Sequence, residues 1–326
     1  MLDTLINPSM LLLGGLALFF GSEWLVEGAA GIAGRFGIKK IVIGLTVVAY
    51  GTSAPELAVS ISANMDGTAP LVFGNVIGSC IANMALILGI TALLSPIPVE
   101  SGLMRRDLPV LLFSAAILPV MLSSGGGVSQ LEAGFLVACA IGYSLLTLKS
   151  AGGTIAMSEE GQRLSHPDGE DESDEDERTT VALVLLVVVG LAVLIGGGEL
   201  FVHGAKGIAF DLGMSERVIG LTIVAFGTSV PELATSLTAA RKGETELAIG
   251  GIIGSNIFNI FLVVGASGTI RALPGDLASQ TLDFGFLGAI TLFGVFAMRK
   301  ARTIGRIEGG LLLAAYTSFI LLTAFA

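Results

Sequence analysis

The sequence predicts an all-α polytopic membrane protein of ten transmembrane helices, built as two inverted five-helix repeats whose second and seventh helices are broken. Three observations carry this reading. Apolar residues make up 53% of the 326 and charged residues 13%, about half the charged share of a soluble domain. Residues 44–56 read GLTVVAYGTSAPE and residues 220–232 read GLTIVAFGTSVPE; the offset of 176 runs without a gap from 23–94 onto 199–270, with 34 identities in 72 positions. Five spanning runs precede an acidic stretch and five follow it. Because five is odd, the second half must enter the membrane in the opposite orientation.

Runs of at least about 18 apolar residues mark spans. The first covers 9–33; the start MLDTLINPSM lacks the basic residues of a cleavable signal, so a retained helix is expected. The second, 40–64, and the seventh, 216–240, carry the duplicated GTSxPE. The third, 70–94, and the eighth, 246–270, contain GNVIGSCIANMALILG and GGIIGSNIFNIFLVVG, rich in the small residues that let helices approach closely in lipid. The fourth, 107–123, starts just after Arg105 and Arg106, and the fifth is 130–149. The sixth is 180–208, and the ninth and tenth are 279–298 and 306–326. The expected division is a repeat over 1–149, a linker over 150–179 and an inverted repeat over 180–326.

The net charge of −10 is local, because residues 158–177 hold ten acids against Arg163 alone. Such a segment is expected to be a solvated, disordered linker. It is too short to fold a domain of its own and has no EF-hand spacing. With the N-terminus on one side, fourteen Lys and Arg fall on the opposite side and only Lys206, Arg217 and Arg271 on the first. The positive-inside rule then makes the linker cytoplasmic and both termini extracellular or periplasmic, in a multi-pass plasma (inner) membrane protein.

The chemistry lies in GTSAPE and GTSVPE. A proline inside a helix removes a donor and clashes with the preceding turn, and Gly51 and Gly227 relax the backbone further. Broken backbone at that depth survives only where it lines a cavity or is buried in protein. The freed carbonyls of Ala49, Thr52, Ala225 and Thr228 become candidate cation ligands. Ser53 and Ser229 add hydroxyls, and Glu56 and Glu232 add charge. A carboxylate in lipid is costly without a partner, and two in duplicated surroundings point to a shared cation. Ser79 and Asn83 lie four apart on one helical face, and Ser255 and Asn259 repeat that spacing. The donor set is all oxygen, which suits hard cations such as Ca2+ and Na+. No His or Cys stands near either Glu in sequence, which argues against zinc and copper. Cys80 and Cys139 lie in apolar runs, so neither a disulfide nor a metal centre is expected.

These paired motifs resemble the α-repeats of the cation/Ca2+ exchanger superfamily, most closely its prokaryotic sodium/calcium exchangers. The resemblance spans essentially the whole chain. It implies a secondary active antiporter that exchanges Na+ for Ca2+ by alternating access, with three Na+ for each Ca2+ and hence electrogenic transport. Glu56 and Glu232 would bind Ca2+ with the carbonyls of Thr52 and Thr228. Ser53, Ser79, Ser229 and Ser255, with the carbonyls of Ala49 and Ala225, would line flanking Na+ sites, and Asn83 and Asn259 would complete the centre. The two long helices, first and sixth, would slide across the rest, with Gly28, Gly31, Gly204 and Gly207 as smooth faces. Cys80 replaces the motif's usual Asn, and its side chain is expected to point away from the Ser79/Asn83 face. Asn259 stands where potassium-dependent relatives carry Asp, which speaks against a K+ requirement.

Proton/calcium antiport on the same fold is the alternative; a cation channel is a weaker one, because channels use rings of ligands along an open pore. A hydrolase built on Ser53 or Ser229 would need a base within reach, and His203 has no counterpart in the first repeat. No enzyme activity and no resident cofactor are expected, and the partners are the two transported ions and the bilayer, with no nucleic acid and no obligatory protein partner. Glu23 and Glu199, at equivalent positions, read as interfacial or packing residues.

Overall fold

The computed structural model describes residues 3–165, 179–214 and 225–325. The described residues are helical almost throughout. Helix α1 covers Asp3–Arg35, α2 covers Lys40–Thr52 and α3 covers Ala54–Met65. They are followed by α4 (Ala69–Leu94), α5 (Leu108–Gly125) and α6 (Gln130–Ser165). In the second half α7 covers Thr180–Asp211, α8 Ala225–Gly227 and α9 Val230–Arg241. The last three are α10 (Thr245–Ile270), α11 (Thr281–Ala301) and α12 (Arg306–Phe325). Among the described residues, eight helices are long and apolar enough to cross a membrane, and the α2/α3 pair, bent by 41°, makes a ninth. The start of the seventh expected span lies outside the described residues.

Turns fall where glycine allows them. Gly67 and Gly243 both sit at φ +77°, a left-handed conformation that costs glycine little. Each closes a helix in the same way: Thr68 N–H donates to Ala63 O, and Glu244 N–H donates to Ala239 O, both at 2.8 Å. Two short antiparallel ladders tie the halves together. β1 (Ile97–Pro98) pairs with β4 (Thr303–Ile304), placing Ile97 opposite Ile304. β2 (Gly127–Val128) pairs with β3 (Leu273–Pro274), placing Val128 opposite Leu273. Adding 176 to each residue of β1 and β2 gives β3 and β4, so the offset of the sequence repeat continues beyond the matched motifs. The caps obey it too. Glu132 Oε2 accepts from Ser129 N–H at 2.9 Å, and Glu308 Oε2 accepts from Gly305 N–H at 3.1 Å.

The core lies where α4 and α10 cross the bent helices; Phe73, Ile77, Phe258 and Phe261 are fully buried there. Glycines set the closeness of approach. A Cβ on Gly44 would stand 2.6 Å from Leu247 O, and one on Gly250 2.7 Å from Ile41 O. Outside this core, α1 and α7 lie antiparallel, joined by a glycine seam. A Cβ on Gly14 would meet Phe201 N at 2.4 Å, one on Gly21 would meet Leu194 N at 2.7 Å, and one on Gly28 would meet Leu183 O at 2.8 Å. Gly190, Gly197 and Gly204 meet α1 in the same way.

Two expectations are corrected. The fifth helix does not end at 149 but runs on as α6 to Ser165, so the first part of the stretch read as an irregular linker is helical. No proline interrupts it; the first one after it is Pro167. Most of the acidic run lies outside the described residues. Gly51 and Gly227 do not loosen the backbone. Their missing side chains admit α7: a Cβ on Gly51 would lie 2.4 Å from Leu191, and one on Gly227 3.0 Å from Val202.

Candidate cation site at the two helix breaks

Each break places a carboxylate at a helix start. Ser53 (φ −81°, ψ 2°) and Ser229 (φ −89°, ψ 4°) leave the helical region, and Pro55 and Pro231 occupy the first turn of α3 and α9. Proline suits that position, because its missing N–H would be unpaired there anyway. The prolines therefore begin a new helix rather than kink a continuous one. Glu56 and Glu232 follow directly, in the first turn, where the partial positive charge of the helix end favours an anion. Both are buried, at 0% and 3% exposure.

The facing wall comes from α4 and α10. Each widens into a π-helical stretch, Ala82–Ile87 in α4 and Asn259–Val264 in α10. Such widenings are frequent at functional sites. Ser79, Asn83, Ser255 and Asn259 are all at 0% exposure. Ser79 Oγ donates to Glu56 Oε1 at 3.3 Å. Two hydroxyl contacts cross between the halves and correspond to each other: Thr52 Oγ1 to Ser255 Oγ, and Thr228 Oγ1 to Ser79 Oγ, both at 3.3 Å. Thr52 and Thr228 thus bring hydroxyls to the site, and not only the carbonyls read from sequence. Ala49 O accepts Ser53 N–H at 3.1 Å, which leaves its second lone pair for another partner. In the second copy Ser229 N–H turns to Phe226 O at 3.0 Å instead. Ala225 stands at the start of the short helix before that break.

The remaining polar atoms define what the site can do. Ser53 Oγ, Ser229 Oγ, Glu56 Oε2, both carboxylate oxygens of Glu232 and the side-chain amides of Asn83 and Asn259 are buried without a protein hydrogen-bond partner. Leaving one such group unmet costs about 1–3 kcal/mol, and more when it is charged. Nine atoms in one place would cost on the order of 10 kcal/mol. A hard cation held by the seven carboxylate, hydroxyl and amide oxygens among them removes most of that cost, the two amide N–H groups being donors that no cation can meet, so the residues present fit Ca2+ or Na+ as substrate. Among the described residues no cluster of three or more His, Cys, Asp and Glu has the geometry of a metal centre; the charge comes from two Glu and the remaining donors are neutral.

Sequence reasoning missed Asn75. Its amide donates to Glu56 O at 3.1 Å and to Ser60 Oγ at 2.9 Å, while its Oδ1 accepts from Thr228 Oγ1 at 3.3 Å. It holds the backbone of one carboxylate and a threonine of the other half. The second copy has Gly251 at this position, so a search for duplicated residues passes over it. Cys80 lies where the two crossing helices meet. Its thiol donates to Asn256 O at 3.8 Å, the residue 176 positions on, so it faces its own counterpart across the helix crossing. Glu23, read as a packing residue, pairs with Lys242 at 2.6 Å.

Comparison with known proteins agrees with this geometry. A sequence profile described as sodium/calcium exchanger protein matches residues 6–149 and 182–325. The chain is 39% identical over 321 residues to the putative antiporter CaxA of Alkalimonas amylolytica, covering 97% of this chain and 98% of that one. It is 36% identical over 345 residues to the sodium/calcium exchanger MaX1 of Methanosarcina acetivorans, covering 97% of each. Among solved structures, the sodium-calcium exchanger NCX_Mj soaked with Na+ and Sr2+ superposes with a TM-score of 0.82 at 34% identity, covering 97% of this chain and 98% of that one.

Proposed function

The chain belongs to the sodium/calcium exchanger protein family, and from that premise we infer that it is a membrane antiporter that exchanges Na+ for Ca2+ at the site between its two helix breaks. The observation that carries this reading is that Glu56 and Glu232, 176 residues apart, are both buried with unpartnered carboxylate oxygens at helix starts whose neighbouring threonines reach across to the other half, Thr228 to Ser79 beside Glu56 and Thr52 to Ser255. Two carboxylates offset one Ca2+. Na+ ions compete for the same oxygens, with Ser53, Ser79, Ser229, Ser255 and the carbonyls of Ala49 and Ala225 as their flanking ligands. The carbonyls of Thr52 and Thr228 join the carboxylates on Ca2+, and Asn83 and Asn259 complete a central position with no further charge. Exchange with more Na+ charge than Ca2+ charge is electrogenic. The proposal includes no chemical step and no resident cofactor.

The fold behind it is ten helices in two inverted five-helix halves, 1–149 and 180–326, with the α6 extension and the acidic segment between them. The matched registers of the two ladders and the matched turns at Gly67 and Gly243 support this reading. By the positive-inside rule the same reading has both termini outside an inner or plasma membrane and the acidic segment in the cytoplasm.

The test is Ca2+ uptake into vesicles with an outward gradient of Na+, K+ or H+ imposed in turn. Uptake is expected with Na+, without any need for K+. Uptake driven by a pH gradient and indifferent to Na+ would instead establish proton coupling. Uptake with no counter-ion would establish a channel.

The acidic segment is expected to matter little. Surface carboxylates concentrate Ca2+ only within about 8–10 Å at physiological salt. Replacing 158–177 by a neutral Gly/Ser linker of equal length should leave maximal exchange nearly unchanged. Apparent Ca2+ affinity from the cytoplasmic side should fall slightly, and only at low ionic strength. Initial rates at two salt concentrations check this, and loss of exchange in a well-inserted variant would make the segment a working part.

A further inference from the structure

The basic residues at one end of the bundle are not all alike. Lys39 pairs with Glu100 at 2.9 Å, and Arg106 with Asp107 at 2.8 Å. Arg306 donates to Leu93 O at 3.2 Å, and Lys300 stands over the ring of Phe296. Arg105, Arg299 and Arg302 differ: among the described residues their side chains meet no acid and no hydrogen-bond acceptor. These three line one cavity of about 370 Å3, together with Ser101 and Met104 and without any acid. The tendency of bases to collect on one membrane face accounts for their number there. It does not account for three unpaired guanidinium groups around one recess.

The recess is shared by the two halves. Arg105 lies in the turn that leads into α5, and Arg299 and Arg302 lie at and just past the end of α11. The β1·β4 ladder fixes the two walls: Ile97 lies opposite Ile304, and Val99 N–H donates to Arg302 O at 2.8 Å. Arg302, at φ 53°, is the one non-glycine among the described residues with a positive φ, a conformation that strains an ordinary side chain. The residue 176 positions earlier is Gly126, at φ +79°. The second half thus keeps an arginine where the first uses glycine. The other counterparts are uncharged too, Thr281 for Arg105 and Ser123 for Arg299, so the charge is no by-product of the repeat. An apolar track leads to it. Leu292 and Phe296 precede Arg299 by seven and three residues, on one face of α11, and they are 61% and 60% exposed. In a bilayer that face meets acyl chains.

We propose that Arg105, Arg299 and Arg302 bind the phosphate of an anionic phospholipid whose acyl chains lie along Leu292 and Phe296. Guanidinium groups match phosphate oxygens with paired N–H donors, and basic pockets between membrane helices take anionic headgroups. The phosphate relieves the mutual repulsion of three like charges and bridges the two halves beside the ladder. The inference goes beyond the exchange reading and holds whichever ions are carried; it needs only that the helices span a membrane.

The test is native mass spectrometry of the full chain in detergent, with phosphatidylglycerol, phosphatidylcholine or inorganic phosphate added in turn, beside thermal unfolding of the same samples. The recess is neutralised as Arg105→Gln, Arg299→Gln and Arg302→Gly together. A control removes the same charge outside it, as Lys149→Gln, Arg241→Gln and Lys300→Gln. The parent chain should hold one phosphatidylglycerol in preference to phosphatidylcholine and unfold at a higher temperature with it. Apparent affinity should fall on the order of a hundredfold in the first variant, about fivefold for each arginine, and little in the control. Arg302→Gly alone, without lipid, should unfold no earlier than the parent chain, since glycine takes this backbone without strain, which separates lost binding from misfolding. Equal losses in the two triple variants would overturn the site and leave only a generally basic surface. Inorganic phosphate that displaces the lipid and raises the unfolding temperature as much would overturn the lipid as occupant. Lipid held only after 158–177 is replaced by a neutral linker would overturn it as well, and would assign the recess to the acidic segment.

Discussion

Glu56→Gln and Glu232→Gln are each expected to abolish Ca2+ transport while the protein still inserts and folds. Two unit charges 4 Å apart interact by about 4 kcal/mol at the effective dielectric of a partly shielded site, and a divalent ion doubles the figure. Removing one carboxylate charge therefore weakens Ca2+ by on the order of a thousandfold or more, since about 1.4 kcal/mol is tenfold. Stability should move the other way. Both carboxylates are buried with oxygens that no protein group satisfies, and a neutral amide is cheaper to bury than an unpaired charge. Without Ca2+ the melting temperature should stay level or rise. The rise that Ca2+ gives the parent chain should disappear, because a ligand stabilises only what binds it. Thermal unfolding with and without Ca2+, beside vesicle flux, separates this from simple misfolding. Robust Ca2+ transport by either variant would mean that the cation is bound elsewhere.

The second large effect is expected from a single methyl group. Gly250→Ala should lose transport and destabilise the protein, although alanine favours a helix over glycine by about 1 kcal/mol. The added Cβ would lie 2.7 Å from Ile41 O and 3.1 Å from the Gly44 Cα. Both are backbone atoms, so no side chain can swing aside and the helices must separate. Overpacking of this kind costs about 1–3 kcal/mol. The displacement also reaches the site, since Ser255 lies on the same helix and meets Thr52 at 3.3 Å. Gly288→Ala is the control: its Cβ meets nothing within 4 Å among the described residues, and it should be neutral or slightly stabilising. Equal melting temperatures and equal exchange rates in the two variants would show that α2 and α10 do not depend on this approach.

How much of this was legible in the sequence differs from feature to feature. The carboxylates, serines and asparagines of the site could be read because each occurs twice in the same words, and a buried charge in an apolar run is itself a signal. Asn75 could not be read, because its counterpart is Gly251 and its role appears only when Thr228 of the other half is brought against it. The threonine hydroxyl contacts were hidden for the same reason: they join residues 149 and 203 positions apart. The ladders are two residues long, too short for any periodic pattern. The length of α6 was misjudged because the reading followed apolarity, whereas a helix continues past the apolar run until something stops it. The roles of Gly51 and Gly227 were misjudged because a glycine beside a proline suggests a loosened backbone. Only the packing of α7 reveals that the space itself is what is used.

The glycine seam between α1 and α7 also has a mechanical meaning. Gly14, Gly21 and Gly28 recur every seven residues, as do Gly190, Gly197 and Gly204 on the partner helix, and each lets backbone touch backbone. The two rows mesh like combs. A slip of one tooth would need about 10.5 Å of travel, seven residues at 1.5 Å each, and every smaller slip drives a Cβ into a main chain. The two helices are therefore one beam, although they come from different halves of the sequence. Whatever displaces α1 against the core must carry α7 by the same stroke, so the two halves of the chain cannot shift independently along this seam.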